Sequence, residues 1–152
     1  RAVRAARGEP AQDEWSPELR LGEGGSMPSA YVPDPVVRIN LHARLARMED
    51  PSEIDAFEEE LEDRFGAPPP QVAALLARAR LHRLAVSAGA RAVSAGPKGV
   101  AVTVQPGKAE AAATRLSGAF RIVRKDDRII APGMPWGNGD YREIERLLAA
   151  LA

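Results

Sequence analysis

The sequence predicts an α+β fold: three N-terminal helices, then hairpin, helix, hairpin and helix, around a mainly antiparallel sheet. Three observations carry this. Between residues 35 and 88, apolar residues recur every three or four positions, the period of a helix with one buried face. After residue 90 the rhythm changes to short β-type runs separated by glycine, proline, lysine and aspartate. Asp-Pro pairs stand where helices should start, at Asp34-Pro35 and Asp50-Pro51, and Gly66 and Gly89 stand where helices should end.

Taken in order, residues 1–28 read as a linker or arm. Arg1 to Arg7 look like the ragged end of a helix that begins upstream, so the chain is expected to be a piece of a longer protein. Gly8, Pro10, Pro17, Gly22, Gly24, Gly25 and Pro28 break regular structure in the arm, and only Leu19 to Leu21 could make a short extended piece. Residues 29–152 form the domain. Val37, Leu41, Leu45 and Met48 make the stripe of a first helix. Asp50, Pro51 and Glu53 restart a second, where Glu53 suits the positive helix end and Ile54, Phe57, Leu61 and Phe65 face inward. A third helix runs roughly from Gln71 to Ala88. Val72, Leu75, Leu76, Ala79 and Val86 face one way, and Leu81 and Leu84 lie off that stripe, the mark of a central helix.

Ala90 to Ala95 and Val100 to Val104 pair across Gly96-Pro97-Lys98-Gly99, read as a four-residue loop. An Ala-rich helix follows from Lys108 to Leu116. Phe120 to Arg124 and Arg128 to Ala131 make the second hairpin, and Asp140 caps a last helix with Ile144, Leu147, Leu148 and Leu151 on one face. The expected core is Leu41, Leu45, Phe57, Leu61, Phe65, Leu75, Leu76, Val102, Ile122 and Leu147.

Composition narrows the function. Basic and acidic residues number 21 each, so no global field draws the chain to nucleic acid or anionic lipid. The absence of cysteine removes disulfides and thiolate metal sites and fits a reducing, cytoplasmic setting. No apolar run approaches the ~20 residues of a membrane span. The basic start is not followed by the apolar stretch of a signal peptide.

Sites for catalysis are hard to find. Gly96 to Gly99 lacks the spacing of a phosphate loop and joins two strands, so it reads as a turn. Gly133 to Gly139 does not follow the dinucleotide fingerprint, and Trp136 within it reads as a plug for the core. His42 and His82 stand alone on separate helices and read as surface histidines, with no partner at metal-ligand spacing. No metal, cofactor or catalytic residue is expected.

Two charge features remain. Arg78 to Arg91 holds four arginines and no acid, and Arg121 to Arg128 holds three arginines and a lysine against two aspartates. A nucleic-acid module built on Arg78 to Arg91 is the alternative reading, although aromatic residues are only 5% of the chain, too few for a stacking platform. The sharper feature is acidic. Residues 51–66 hold Glu53, Asp55, Glu58, Glu59, Glu60, Glu62 and Asp63 against Arg64 alone, a local balance of −6. Like charges four apart on a helix cost a few tenths of a kcal/mol each. Such a helix is either kept soluble by its acids or meets a basic surface.

The stretch Arg38-Ile39-Asn40-Leu41-His42-Ala43-Arg44-Leu45-Ala46, followed by Glu60-Leu61-Glu62-Asp63-Arg64-Phe65-Gly66-Ala67-Pro68-Pro69-Pro70, resembles the C-terminal domain of bacterial transcription-repair coupling factors. Tyr31-Val32-Pro33-Asp34 and Ala95-Gly96-Pro97-Lys98-Gly99 fit the same pattern in the same order, and the resemblance spans about residues 19 to 131. It implies a regulatory, autoinhibitory interaction domain, itself no enzyme, of an ATP-dependent DNA translocase that couples transcription to nucleotide excision repair. It implies packing against an N-terminal UvrB-like module of the same protein, which hides the surface that binds UvrA. RNA polymerase and DNA would be met through the full-length protein, and Arg1 to Arg7 would be the end of the helix of its preceding motor domain. The acids of the family motif that face basic residues of that module match Glu60 and Asp63, with Arg64 beside them. Glu53 and the small Ala56 share that flank.

Overall fold

The computed structural model describes residues 16–22, 25–134, 136 and 141–152. The expected Asp140 cap, the Arg1 to Arg7 helix end and most of the Gly133 to Gly139 loop lie outside them. The chain runs β1 (Glu18–Arg20), α1 (Pro35–Arg47), α2 (Pro51–Phe65), α3 (Pro70–Ala88), β2 (Ala90–Gly96), β3 (Gly99–Val104), α4 (Ala109–Leu116), β4 (Val123–Lys125), β5 (Arg128–Pro132) and α5 (Arg142–Leu151). This is the expected order of elements.

The helix starts form as their residues dictate. The Asp34 carboxylate accepts from Val36 N at 2.9 Å with Pro35 at the first helical position. Asp50 and Glu53 close a reciprocal capping box. In it the Glu53 carboxylate accepts from Asp50 N and Glu49 N, both at 3.0 Å. Gly89 ends α3 in the left-handed region, at φ 74°.

The sheet order is β1-β2-β3-β5-β4. The pairs β2–β3, β3–β5 and β4–β5 are antiparallel, as expected, while β1 joins β2 in parallel, with Leu19 opposite Val93. Both hairpin loops are tighter than their residues suggested. Gly96 pairs with Gly99, which leaves Pro97-Lys98 as the turn, and Lys125 pairs with Arg128 around Asp126-Asp127. Phe120 does not begin a strand: its N–H returns to Leu116 O at 2.9 Å, so the end of α4 claims it and β4 starts at Val123.

Two cores stand in place of one. The first joins the sheet to α4, α5 and one side of α3 through Leu81, Ala85, Val93, Val102, Leu116, Ile129, Ile144, Leu147 and Leu148. The second lies among α1, α2 and the start of α3, around Leu41, Leu45, Ile54, Phe57, Leu61, Val72 and Leu76. α3 is therefore central, as its two apolar sides predicted. Its stripe changes partner partway: Val72, Leu75, Leu76 and Ala79 serve the helical core, then Ala77, Leu81 and Ala85 serve the sheet. Val86, expected on the first stripe, lies past that layer and is 43% exposed. Phe65, Leu75 and Ile122, expected in the core, are packed at its edges. Trp136 does plug: it packs on the sheet core, and its indole N–H donates to Gly96 O at 3.0 Å.

Candidate interdomain surface

α2 carries the acids, and its neighbours decide which of them remain available. Arg44 of α1 grips Glu60 with both guanidinium nitrogens, at 2.8 and 2.7 Å, and Arg64 adds a third contact at 3.2 Å. Three hydrogen bonds to the ionised carboxyl, those from Arg44 foremost, hold its pKa down to about 2. Arg44 also lies over the Phe57 ring, 5.1 Å from its centroid, and Arg64 over Phe65 at 4.9 Å. Arg80 of α3 takes Asp55 at 2.7 Å and also binds Glu58. Glu53 is held in the capping box. Tertiary pairing thus answers the acidic run on its inner flanks, and of the run's acids Glu59, Glu62 and Asp63 stand exposed with neither an ion pair nor a side-chain hydrogen bond among the described residues.

Of the predicted contact residues, Glu53, Ala56, Asp63 and Arg64 are exposed. Glu60 is half-buried at the seam between α1 and α2, and Arg64 leans on Glu60 and Phe65. At about 100° per residue, Ala56, Glu59 and Asp63 fall on the outer side of α2, opposite Ile54, Leu61 and Phe65. Glu60 and Glu53 lie on the flank turned toward α1. The structure brings Asp63 and Ala56 together on one face and gives Glu60 and Glu53 work inside the domain.

The end of α2 is fixed by a residue that sequence reasoning left without a role. The Tyr31 hydroxyl lies 2.8 Å from Gly66 O and 3.2 Å from Leu61 O, and its ring tilts against Phe65 at 5.6 Å between centroids. Burial, helped by the charges of Glu62 and Glu58, pushes the Tyr31 phenol up. Arg38 similarly donates to Val32 O and Pro33 O, at 2.7 and 3.1 Å. Tyr31, Arg38 and Arg44 of the motif stretches therefore build the α1–α2 unit that presents Asp63. The available signal was the position of Arg44, three residues past Leu41 at the edge of the apolar stripe.

The basic segment of α3 is largely engaged within the fold. Arg78 donates to Leu19 O at 2.7 Å, Arg80 holds α2, and Arg83 donates to Leu45 O and Met48 O at the end of α1. Of the four arginines from 78 to 91, only Arg91 is exposed. A phosphate track there would have to break the contacts that hold α3 to β1, α1 and α2. His42 is exposed as expected, but His82 is half-buried, 2.8 Å from Ser16 Oγ through Nε2 and 3.2 Å from Arg83 through Nδ1. Since guanidinium only donates, Nδ1 accepts and Nε2 carries the proton.

The TRCF domain model matches residues 24–114, more than half of the chain. The transcription-repair-coupling factor of Rickettsia bellii is 28% identical over 91 residues, covering 60% of this chain and 8% of that protein. That of Escherichia coli K12 is 31% identical over 100 residues, covering 64% of this chain and 9% of that protein. The chain thus spans under a tenth of the curated relatives it matches. A crystal structure of the C-terminal domain of a transcription-repair coupling factor superposes with a TM-score of 0.70 over 89% of each chain at 18% identity, a likeness of fold.

Proposed function

The chain belongs to the TRCF domain family, and from that premise we propose that it is the regulatory domain of an ATP-dependent DNA translocase coupling transcription to excision repair. In this reading it is an autoinhibitory latch in the cytoplasm and not itself a catalyst. It packs on a UvrB-like module of the same polypeptide and covers the surface that UvrA would bind. RNA polymerase and DNA are met by the rest of the full-length protein.

One observation carries the reading most. On a helix whose inner acids are answered by Arg44, Arg64 and Arg80, the outer Glu59 and Asp63 are left exposed beside the small Ala56. Asp63 supplies the charge that faces a basic partner. Glu60, held by two arginines, fixes the angle between α1 and α2 that presents it, while Arg64, Glu53 and Ala56 shape the border. Exposed ion pairs contribute only ~0–1 kcal/mol each. When partly desolvated at an interface, loss of one partner costs roughly 2–5 kcal/mol. The test is UvrA affinity of the full-length protein: Asp63→Lys with Glu59→Lys should raise it, and unchanged affinity would leave these acids as solubilising charge.

A further inference from the structure

A pocket of about 350 Å³ opens where α4 meets the carbonyl ends of α3 and α5. None of its lining belongs to α1 or α2. One side of α4 makes its wall. Lys108, Ala111, Ala112 and Arg115 stand at i, i+3, i+4 and i+7, the spacing of a single helix face. The two alanines leave room between two long cationic side chains. The floor is apolar: Val104, Ala112 and Leu151 are all buried. Gly89 widens the opposite wall, with open space where a Cβ would stand.

No carboxylate side chain lines the pocket. Helix C-termini attract cations on their own account, and one of the two cations is used that way. Arg115 donates through Nη1 to Leu151 O at 2.9 Å and to Ala152 O at 3.3 Å, at the end of α5. That anchors the guanidinium and leaves Nε and Nη2 without a partner among the described residues, two donors of the kind that take a carboxylate side by side. Lys108 has no such employment: its ammonium makes no ion pair or hydrogen bond among the described residues. Two cations beside an apolar floor, with no acid to neutralise them, favour an anion that carries an apolar body. The volume stands at the lower end of the ~300–1,000 Å³ of ligand sites, which suits a small molecule and leaves no room for a peptide of several residues.

We propose that this pocket binds a small organic acid, its carboxylate held by Arg115 and Lys108 and its apolar body resting on Val104, Ala112 and Leu151. A ligand so placed bridges α4 to the ends of α3 and α5, and by binding the folded chain alone it stabilises the sheet core on which all three pack. A neutral alcohol of the same length has the body without the charge, and inorganic phosphate has the charge without the body. The site does not depend on the latch reading, since neither Glu59 nor Asp63 takes part in it.

The test is an amide NMR titration of the isotope-labelled chain with hexanoate, hexanol and inorganic phosphate. Hexanoate should shift the Gly89, Gln105, Ala112 and Leu151 amides saturably, and hexanol and phosphate should bind there about fivefold more weakly or less. Lys108→Gln should weaken hexanoate about two- to fivefold and leave hexanol unchanged. Its melt should be preserved, because Lys108 is exposed and unbonded. Ala111→Phe, at an exposed position, should fill the pocket and abolish the hexanoate shifts with the fold intact. Hexanoate shifts that are absent, or scattered over the surface without saturating, overturn the site. Equal affinity for hexanoate and hexanol, or Lys108→Gln without effect on hexanoate, overturns the choice of an anion. Phosphate that binds as tightly as hexanoate overturns the apolar half of the site.

Discussion

Removing either side of the Arg44–Glu60 pair should loosen α1 from α2 without unfolding the domain. The pair is bidentate, at 2.8 and 2.7 Å, but more than a third exposed, so its own contribution is put at about 1 kcal/mol and not at the larger value a buried pair would give. Arg44→Ala also removes the contact with the Phe57 ring, worth ~0.5–1 kcal/mol. Arg44→Ala should therefore cost ~1.5–2 kcal/mol and Glu60→Gln ~1 kcal/mol, from these same pair and ring magnitudes. In a domain of this length each kcal/mol lowers the melting temperature by roughly 2–4 °C. The assay is a double-mutant cycle by urea titration, in which the pair should show a coupling of about 0.5–1 kcal/mol. The sign with pH follows from the depressed Glu60 carboxyl. It titrates at about 2 when folded against an ordinary value of 4.5, so its contribution is fully present above the ordinary value and lost as pH falls toward 2. The coupling should shrink on acidification in step. Additive single mutants at pH 7, within ~0.3 kcal/mol, would refute the claim that this pair ties α1 to α2.

Phe57 is fully enclosed in the helical core, so Phe57→Ala should cost about 3–5 kcal/mol in chemical denaturation; a loss under ~1 kcal/mol would contradict that burial. Gly25 sits at φ +80° against α3, where an added Cβ would meet Leu75 N at 2.4 Å and Gln71 O at 2.6 Å. Gly25→Ala should displace the Ser26 N to Gln71 O hydrogen bond and speed proteolytic cleavage of the arm; unchanged cleavage would show that this close approach is dispensable. Burial first, then the charges of Arg83 and Arg78, lowers the His82 pKa below 6.5, so the unfolded chain takes up the proton more readily. Stability from this group is present above the unfolded value and falls as pH drops through it, and His82→Gln should flatten the denaturation midpoint between pH 7 and 5.5.

Local chemistry was legible where it is self-contained. Asp34-Pro35, the Asp50–Glu53 capping box and Gly89 place helix ends through bonds made within four residues, and the alternation in β2 and β3 is intrinsic to the chain. Leu19 was marked as extended, but its parallel pairing with Val93 is a long-range choice that no local pattern encodes. The two apolar sides of α3 were legible, but the division into two cores was not, because the point along α3 where its partners change from helices to sheet depends on neighbours distant in sequence. The acidic run misled in a similar way. Its charge counted as −6 along the sequence, yet the partners of Glu60, Asp55 and Glu58 lie 16 to 25 residues away, in α1 and α3. Asp63 and Ala56 were legible as an exposed flank. That Glu60 has an internal partner became visible only once Arg44 of α1 was placed against it.

The latch reading is tested most directly by titrating the UvrB-like module, as a separate polypeptide, into this domain by calorimetry. The account predicts a one-to-one complex that weakens as salt rises. It should be lost in the Asp63→Lys/Glu59→Lys domain, with the melt of that domain preserved. No detectable complex with folded partners, or a complex indifferent to both salt and these charges, would contradict it.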